Sequence, residues 1–263
     1  MSYGVAARAQ GGPCAHGAYF GGGMMYGLQQ QTGAAFRGVL KSSFEQKLAD
    51  GNVIRNVTRS REARDGLGRT MTEMSQGCAE GADGQLHERF SVNVVDTVAR
   101  TTMSWTVGDD QQPKVVRVFH MPEPPPHADV EACKVLSPEE QAAQEKLMKA
   151  AMAQQAQQTG YKTEDLGFRN FHGVPARGTR NTRTIPAEQE GNERPLVVTN
   201  EMWQSPEMGL TMMMISEDPR RGTTTTEFEE FSVGEPEPKL FAAPEGYKME
   251  EEHPQPQIVV PTK

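Results

Sequence analysis

Leu196-Val197-Val198-Thr199-Asn200-Glu201-Met202-Trp203-Gln204-Ser205-Pro206-Glu207-Met208-Gly209-Leu210-Thr211-Met212-Met213-Met214-Ile215-Ser216 decides the fold. Two runs rich in β-branched, aromatic and methionine residues, Leu196 to Gln204 and Leu210 to Ser216, are separated by Ser205-Pro206, and each is short enough to be one strand. The pattern continues on both sides. Ala176 to Ile185 and Thr223 to Val233 read as strands, punctuated by Gly191-Asn192, Asp218-Pro219 and Gly222. Thr163-Glu164-Asp165-Leu166-Gly167 opens this half, and His172-Gly173 marks a hairpin.

The first half repeats the style. Phe36 to Leu48 runs into Asp50-Gly51, whose backbone preferences suit a tight hairpin turn. Val53 to Ser60 alternates, Asp65-Gly66-Leu67-Gly68 turns the chain, Arg69 to Gln76 returns, and Gly77 to Gln85 is a polar break. Phe90 to Val107 and Lys114 to Phe119 complete the half. Turns at such regular intervals mark an all-β architecture. The one clear helix is 137–158, with Ser137 as N-cap, Pro138 at the first position and Glu140 in a capping box. Its apolar stripe is thin, so it either lies across a sheet or bridges two halves while staying wet.

Residues 1–33 form a Gly- and Met-rich tail, 34–249 one β domain with a spacer at 122–136, and 250–263 a second tail; both tails are expected to be disordered. Of the 263 residues, 36% are hydrophobic, low for a chain packed throughout, yet roughly 200 residues remain for a core. The net charge of −8 argues against a nucleic-acid binder. Arg55, Arg59, Arg61, Arg64 and Arg69 are interleaved with Glu45, Glu62, Asp65 and Glu73, which reads as a solvated strand face before it reads as an anion site. No run approaches the length of a membrane span. Val5-Ala6-Ala7-Arg8-Ala9-Gln10 has the small-x-small pattern of a signal-peptidase site without the preceding apolar run, which points to an export signal upstream of Met1 unless the match is chance. Cys14, Cys78 and Cys133 are too few for a disulfide framework; in an exported protein Cys78 and Cys133 could pair and leave Cys14 odd, and all three could equally stay thiols.

No chemistry-bearing constellation emerges. The six histidines lack helical ligand spacing, no nucleophile elbow is present, and Glu201 with Glu207 lacks the apolar surroundings a general acid needs. The expectation is no enzyme, no cofactor, no metal and no catalytic residue. Leu210, Met212 and Met214 point to one side of their strand and Met213 and Ile215 to the other, so both faces need cover. Methionine suits irregular ligands, and a ligand-lining set of Met103, Trp105, Trp203, Met212, Met213, Met214 and Ile215 follows, with helix or sheet cover as the bland alternative. Gly191-Asn192-Glu193-Arg194-Pro195 reads first as a salt-bridged turn and second as a recognition loop.

Gly178-Thr179-Arg180, Thr184-Ile185-Pro186, Gly191-Asn192-Glu193-Arg194-Pro195, Glu201-Met202-Trp203-Gln204-Ser205-Pro206, Asp218-Pro219-Arg220 and Leu240-Phe241 with Pro244 and Tyr247 together resemble a widespread bacterial family of exported proteins of uncharacterised activity, usually preceded by a signal peptide. Leu48 to Asn52, Arg64-Asp65 and Gly68-Arg69 fit the same family. More distantly, the meander, the helix and the Leu-Phe-x-x-Pro-x-x-Tyr pattern are similar to lipoprotein-localisation carriers and envelope sensors. That likeness implies a mainly β fold with one or two helices, an antiparallel sheet curved into a half-barrel that holds acyl chains. The resulting expectation is a non-enzymatic periplasmic or secreted envelope protein that binds a lipid or a lipoprotein acyl chain on the concave face. The alternative is an interaction module that binds an envelope protein and takes no small ligand; neither reading involves nucleic acid or a membrane span.

Overall fold

The computed structural model describes residues 33–108, 112–121, single positions within 137–147, and 160–252. The strands are β1 (Phe36–Lys47), β2 (Val53–Arg64), β3 (Thr70–Glu80), β4 (Leu86–Asp96), β5 (Thr101–Val107), β6 (Val115–His120), β7 (Tyr161–Phe171), β8 (Val174–Ile185), β9 (Leu196–Ser205), β10 (Leu210–Asp218), β11 (Gly222–Val233) and β12 (Lys248–Glu252). The mainly β class is as expected. So are the turns: His172 and Gly173, both at positive φ (51° and 87°), are the two residues linking β7 to β8.

The described chain falls into two compact units, and β1 and β2 contribute to both. In the first the order is β12-β6-β5-β4-β3-β2-β1, in the second β2-β1-β11-β10-β9-β8-β7, and neither closes into a barrel. The strands pair antiparallel from β2 through β6 and from β7 through β11, whereas β12 adds to β6 in parallel.

In the first unit, successive cross-strand pairs put Ala63, Met71, Val94, Met103 and Val118 in one row and Glu73, Val92 and Trp105 in the next. Residues directly opposite share a face. Ala63, Met71, Val92, Val94, Trp105, Val116, Val118 and Phe241 form a buried core. Its cover is the C-terminal segment: Phe241 lies in a 3₁₀ turn (Pro238–Phe241), Leu240, Ala243 and Tyr247 pack beside it, and the Tyr247 hydroxyl donates to Thr106 O at 2.9 Å. The opposite face carries Glu62, Thr72, Asn93, Ser104 and Arg117 in register.

The turn after β2 is built by its own side chains. Asp65 Oδ1 accepts from Leu67 N and Arg69 N, Asp65 Oδ2 accepts from Arg69 Nε at 2.7 Å, and the Arg69 guanidinium lies 5.0 Å from the Phe241 ring. Arg64 is buried, donating to Ala34 O and stacked on Phe36. Of the interleaved charges, Arg55 pairs with Glu45 and Arg61 with Glu73 as a solvated face should, but Arg64 and Asp65 are interior.

Two differences from the sequence reading have local causes. Phe90 to Val107 is two strands, because Thr97–Arg100 turns the chain with Arg100 at φ 57° and Val98 left 77% exposed. The segment expected to be a tail from residue 250 begins as strand, since β12 adds to β6 and Glu251 and Glu252 pair with His120 and Arg117. The described helical residues of 139–147 are all exposed, Leu147 at 72%; residues 148–158 of the expected helix, the spacer 122–136 and the N-terminal tail through residue 32 lie outside the described residues.

Candidate functional site

The second unit gathers most of the candidate residues around Trp203 on β9. Its cross-strand partners are Gly178 on β8 and Met213 on β10. Gly178 is required there: a Cβ would stand 2.7 Å from the indole ring, so the ring lies flat on bare backbone. Beyond it, Phe171 meets Trp203 at 5.8 Å between centroids, and Arg169 sits 4.7 Å over the Phe171 ring and 6.0 Å over Trp203. Phe171 and Trp203 are buried, whereas Met213 and Ile215 on the same face are half-buried.

Glu201 fixes the indole in place. Its Oε1 accepts from Trp203 Nε1 at 2.7 Å, and its Oε2 accepts from Arg180 Nε and Nη2 at 3.2 and 2.7 Å. Burial pushes the Glu201 carboxyl up, but the hydrogen bonds from Trp203 and Arg180, with the charges of Arg180 and Arg169, outweigh it and hold the group ionised below its ordinary range. It is a committed acceptor, and the other carboxylate considered with it, Glu207, stands exposed in the following turn.

A β-bulge changes the reading of the Met-rich strand. Thr211 pairs with Gln204 and Met213 with Trp203, so Met212 is the extra residue and is wholly buried. Leu210, opposite Ser205, therefore shares the face of Met213 and Ile215 rather than that of Met214, because the inserted residue resets the alternation. Met214 lies opposite Met202 on the other face. Met103 and Trp105 belong to the first unit, where Trp105 is part of the buried core and Met103 packs against it.

Arg169, Phe171, Gly178 and Arg180 complete the site and were not singled out from the sequence for it. A signal existed for the first two: once His172-Gly173 is the turn, alternation puts Arg169 and Phe171 on one face of β7. Their meeting with Trp203 depends on the β8–β9 register, which no local pattern encodes.

The Gly191–Pro195 loop is a pinned turn. Asn192 Nδ2 donates to Pro186 O and Arg194 O, both at 2.7 Å, and Asn192 Oδ1 accepts from Glu190 N. The bridging charge is Glu190, which takes Arg183 and Arg220, while Arg220 also holds Asp218; Glu193 and Arg194 of the motif stand exposed. His87, His120 and His172 contact Asp83, Glu251 and Phe228 O respectively. Cys78 is disulfide-bonded; Cys14 and Cys133 lie outside the described residues. Among the described residues, no helix is long and apolar enough to cross a membrane.

Comparisons with solved structures give low-scoring likenesses. An uncharacterized conserved protein from Thermus thermophilus aligns over 84% of this chain and 93% of its own at 6% identity, with a TM-score of 0.37. MucB in the MucA/MucB complex of Pseudomonas aeruginosa aligns over 80% of this chain at 13% identity with a TM-score of 0.29, and this chain covers 56% of that one. A LolA-superfamily protein from Nitrosomonas europaea aligns over 80% of this chain and 90% of its own at 7% identity, with a TM-score of 0.26. No protein-family model and no curated protein matches the chain.

Proposed function

We propose that the chain is a non-enzymatic, exported binding protein of the bacterial envelope that receives the apolar part of an acyl-bearing ligand on the Trp203 face of its second unit. The observation that carries this is the half-burial of Met213 and Ile215 beside a buried Phe171–Trp203 pair. An acyl chain laid on them would remove further apolar surface from water, at about 25 cal/mol for each Å² covered. Methionine adapts its shape to such a ligand. Trp203, Met213 and Ile215 form the lining, with Met212 as its support; Met103 and Trp105 serve the core of the first unit.

The disulfide at Cys78 fits an oxidising compartment outside the cytoplasm. The motif resemblance fits the same destination. The rigid support of Trp203 by Glu201 and Gly178 also suits binding, since a pre-ordered surface loses little entropy on contact.

Native mass spectrometry of the full chain, isolated from the bacterial periplasm, tests the proposal. A lipid-like mass in stoichiometric amount, lost on denaturation and reduced in Met213→Asp, is the expected result. A clean ligand-free mass, with no uptake of added palmitate, would overturn it in favour of a protein-interaction role.

A further inference from the structure

We infer that the ligand of the Trp203 face is an anionic amphiphile, its carboxylate or phosphate headgroup held by Arg169. This rests on the reading of that face as the binding surface. The second unit pairs its strand arginines with acids: Arg55 with Glu45, Arg177 with Asp165, Arg180 with Glu201 and Arg183 with Glu190. Arg169 is the exception. Among the described residues it forms no ion pair with a carboxylate: Glu201 feels its charge but accepts its hydrogen bonds from Trp203 and Arg180. The contacts of Arg169 are the faces of Phe171 and Trp203 and, from Nη1, the Met213 sulfur at 3.8 Å.

A guanidinium stacked on a ring uses its face and leaves its N–H edge available, and that edge is the group best shaped for a carboxylate or phosphate. The stacking also holds the side chain over the apolar patch. The charge along the sheet then orients an amphiphile. On β11, Glu227 stands opposite Met213, with the Lys41 ammonium 4.0 Å from its carboxylate. Arg169, without an ion-paired acid among the described residues, lies at the β7 side and the Glu227 carboxylate at the β11 side, with Met213 and Ile215 between them. An anionic headgroup is drawn to Arg169 and repelled from Glu227, which leaves its chain over the methionine and isoleucine.

Isothermal titration calorimetry on the full chain, with laurate, dodecyl phosphate and neutral monolaurin each below its micelle concentration, tests this. One or both anions should bind about tenfold or more tightly than monolaurin, the scale of one charge-assisted hydrogen bond. Arg169→Gln should remove most of that preference, lowering anion affinity about tenfold and monolaurin affinity far less, while Arg169→Lys keeps part of it. Preference for laurate alone would identify a free carboxylate, and preference for dodecyl phosphate alone a phosphorylated lipid; either supports the inference. Equal affinity for all three overturns the headgroup assignment and leaves the binding surface standing, whereas failure of all three to bind overturns both. Should Arg169→Gln not fold, the wild-type preference between laurate and monolaurin still decides.

Discussion

Gly178 shows most plainly how one residue shapes the site. Gly178→Ala places a methyl group 2.7 Å from the Trp203 ring and must displace it. We expect a loss of about 1–3 kcal/mol, the usual cost of overpacking, with an altered near-ultraviolet circular dichroism signal from the indole. Glu62 makes the opposite kind of point. It is half-buried opposite Thr72, on the face that also carries Asn93 and Ser104, and desolvation raises its pKa from 4.5 to about 6, against a weak lowering from Ser60. A carboxyl whose folded pKa is raised favours the folded state below its unfolded pKa, and that advantage disappears as pH rises through the folded value. Ionised Glu62 therefore costs about 2 kcal/mol at neutral pH relative to acid. Glu62→Gln should raise stability at pH 7 and flatten the pH dependence between 4.5 and about 6 in urea titrations; an unchanged profile would refute this origin.

At the scale of elements, the C-terminal cover and the β10 bulge explain what the sequence could and could not say. Strands β7 to β11 were legible within a few residues, since turn residues bound them and β-branched or aromatic residues fill them. The Leu240-Phe241 pattern was visible, but its physical role was not: Phe241 closes the core of the first unit and accepts the stacked Arg69. Phe241→Ala should cost about 3–5 kcal/mol by denaturant unfolding. The bulge at Met212 was illegible because an extra residue has no signature in an apolar run, and it moved Leu210 to the other face. Arg64 and Asp65 looked like surface charge since their composition is that of a solvated strand; the Ala34 carbonyl and the Phe36 ring for Arg64, and the Arg69 guanidinium with the backbone N–H groups of Leu67 and Arg69 for Asp65, make their burial tolerable. β12 escaped notice because Lys248-Met249-Glu250-Glu251-Glu252 is a poor strand by propensity, held by pairing with β6.

For the molecule as a whole, the disulfide and the two tryptophans give direct handles. Cys78→Ser should lower stability by about 2–4 kcal/mol under oxidising conditions and by nothing under reducing ones, measured by thermal unfolding. The tryptophans report on separate units: Trp105 is sealed in the core of the first, and Trp203 underlies the proposed surface of the second. The most direct measurement is fluorescence quenching by dibromostearate in the full-length single-tryptophan variants Trp105→Phe and Trp203→Phe. Saturable quenching is expected when Trp203 is the remaining fluorophore and little when Trp105 is. Quenching confined to Trp105, or absent from both, would contradict this.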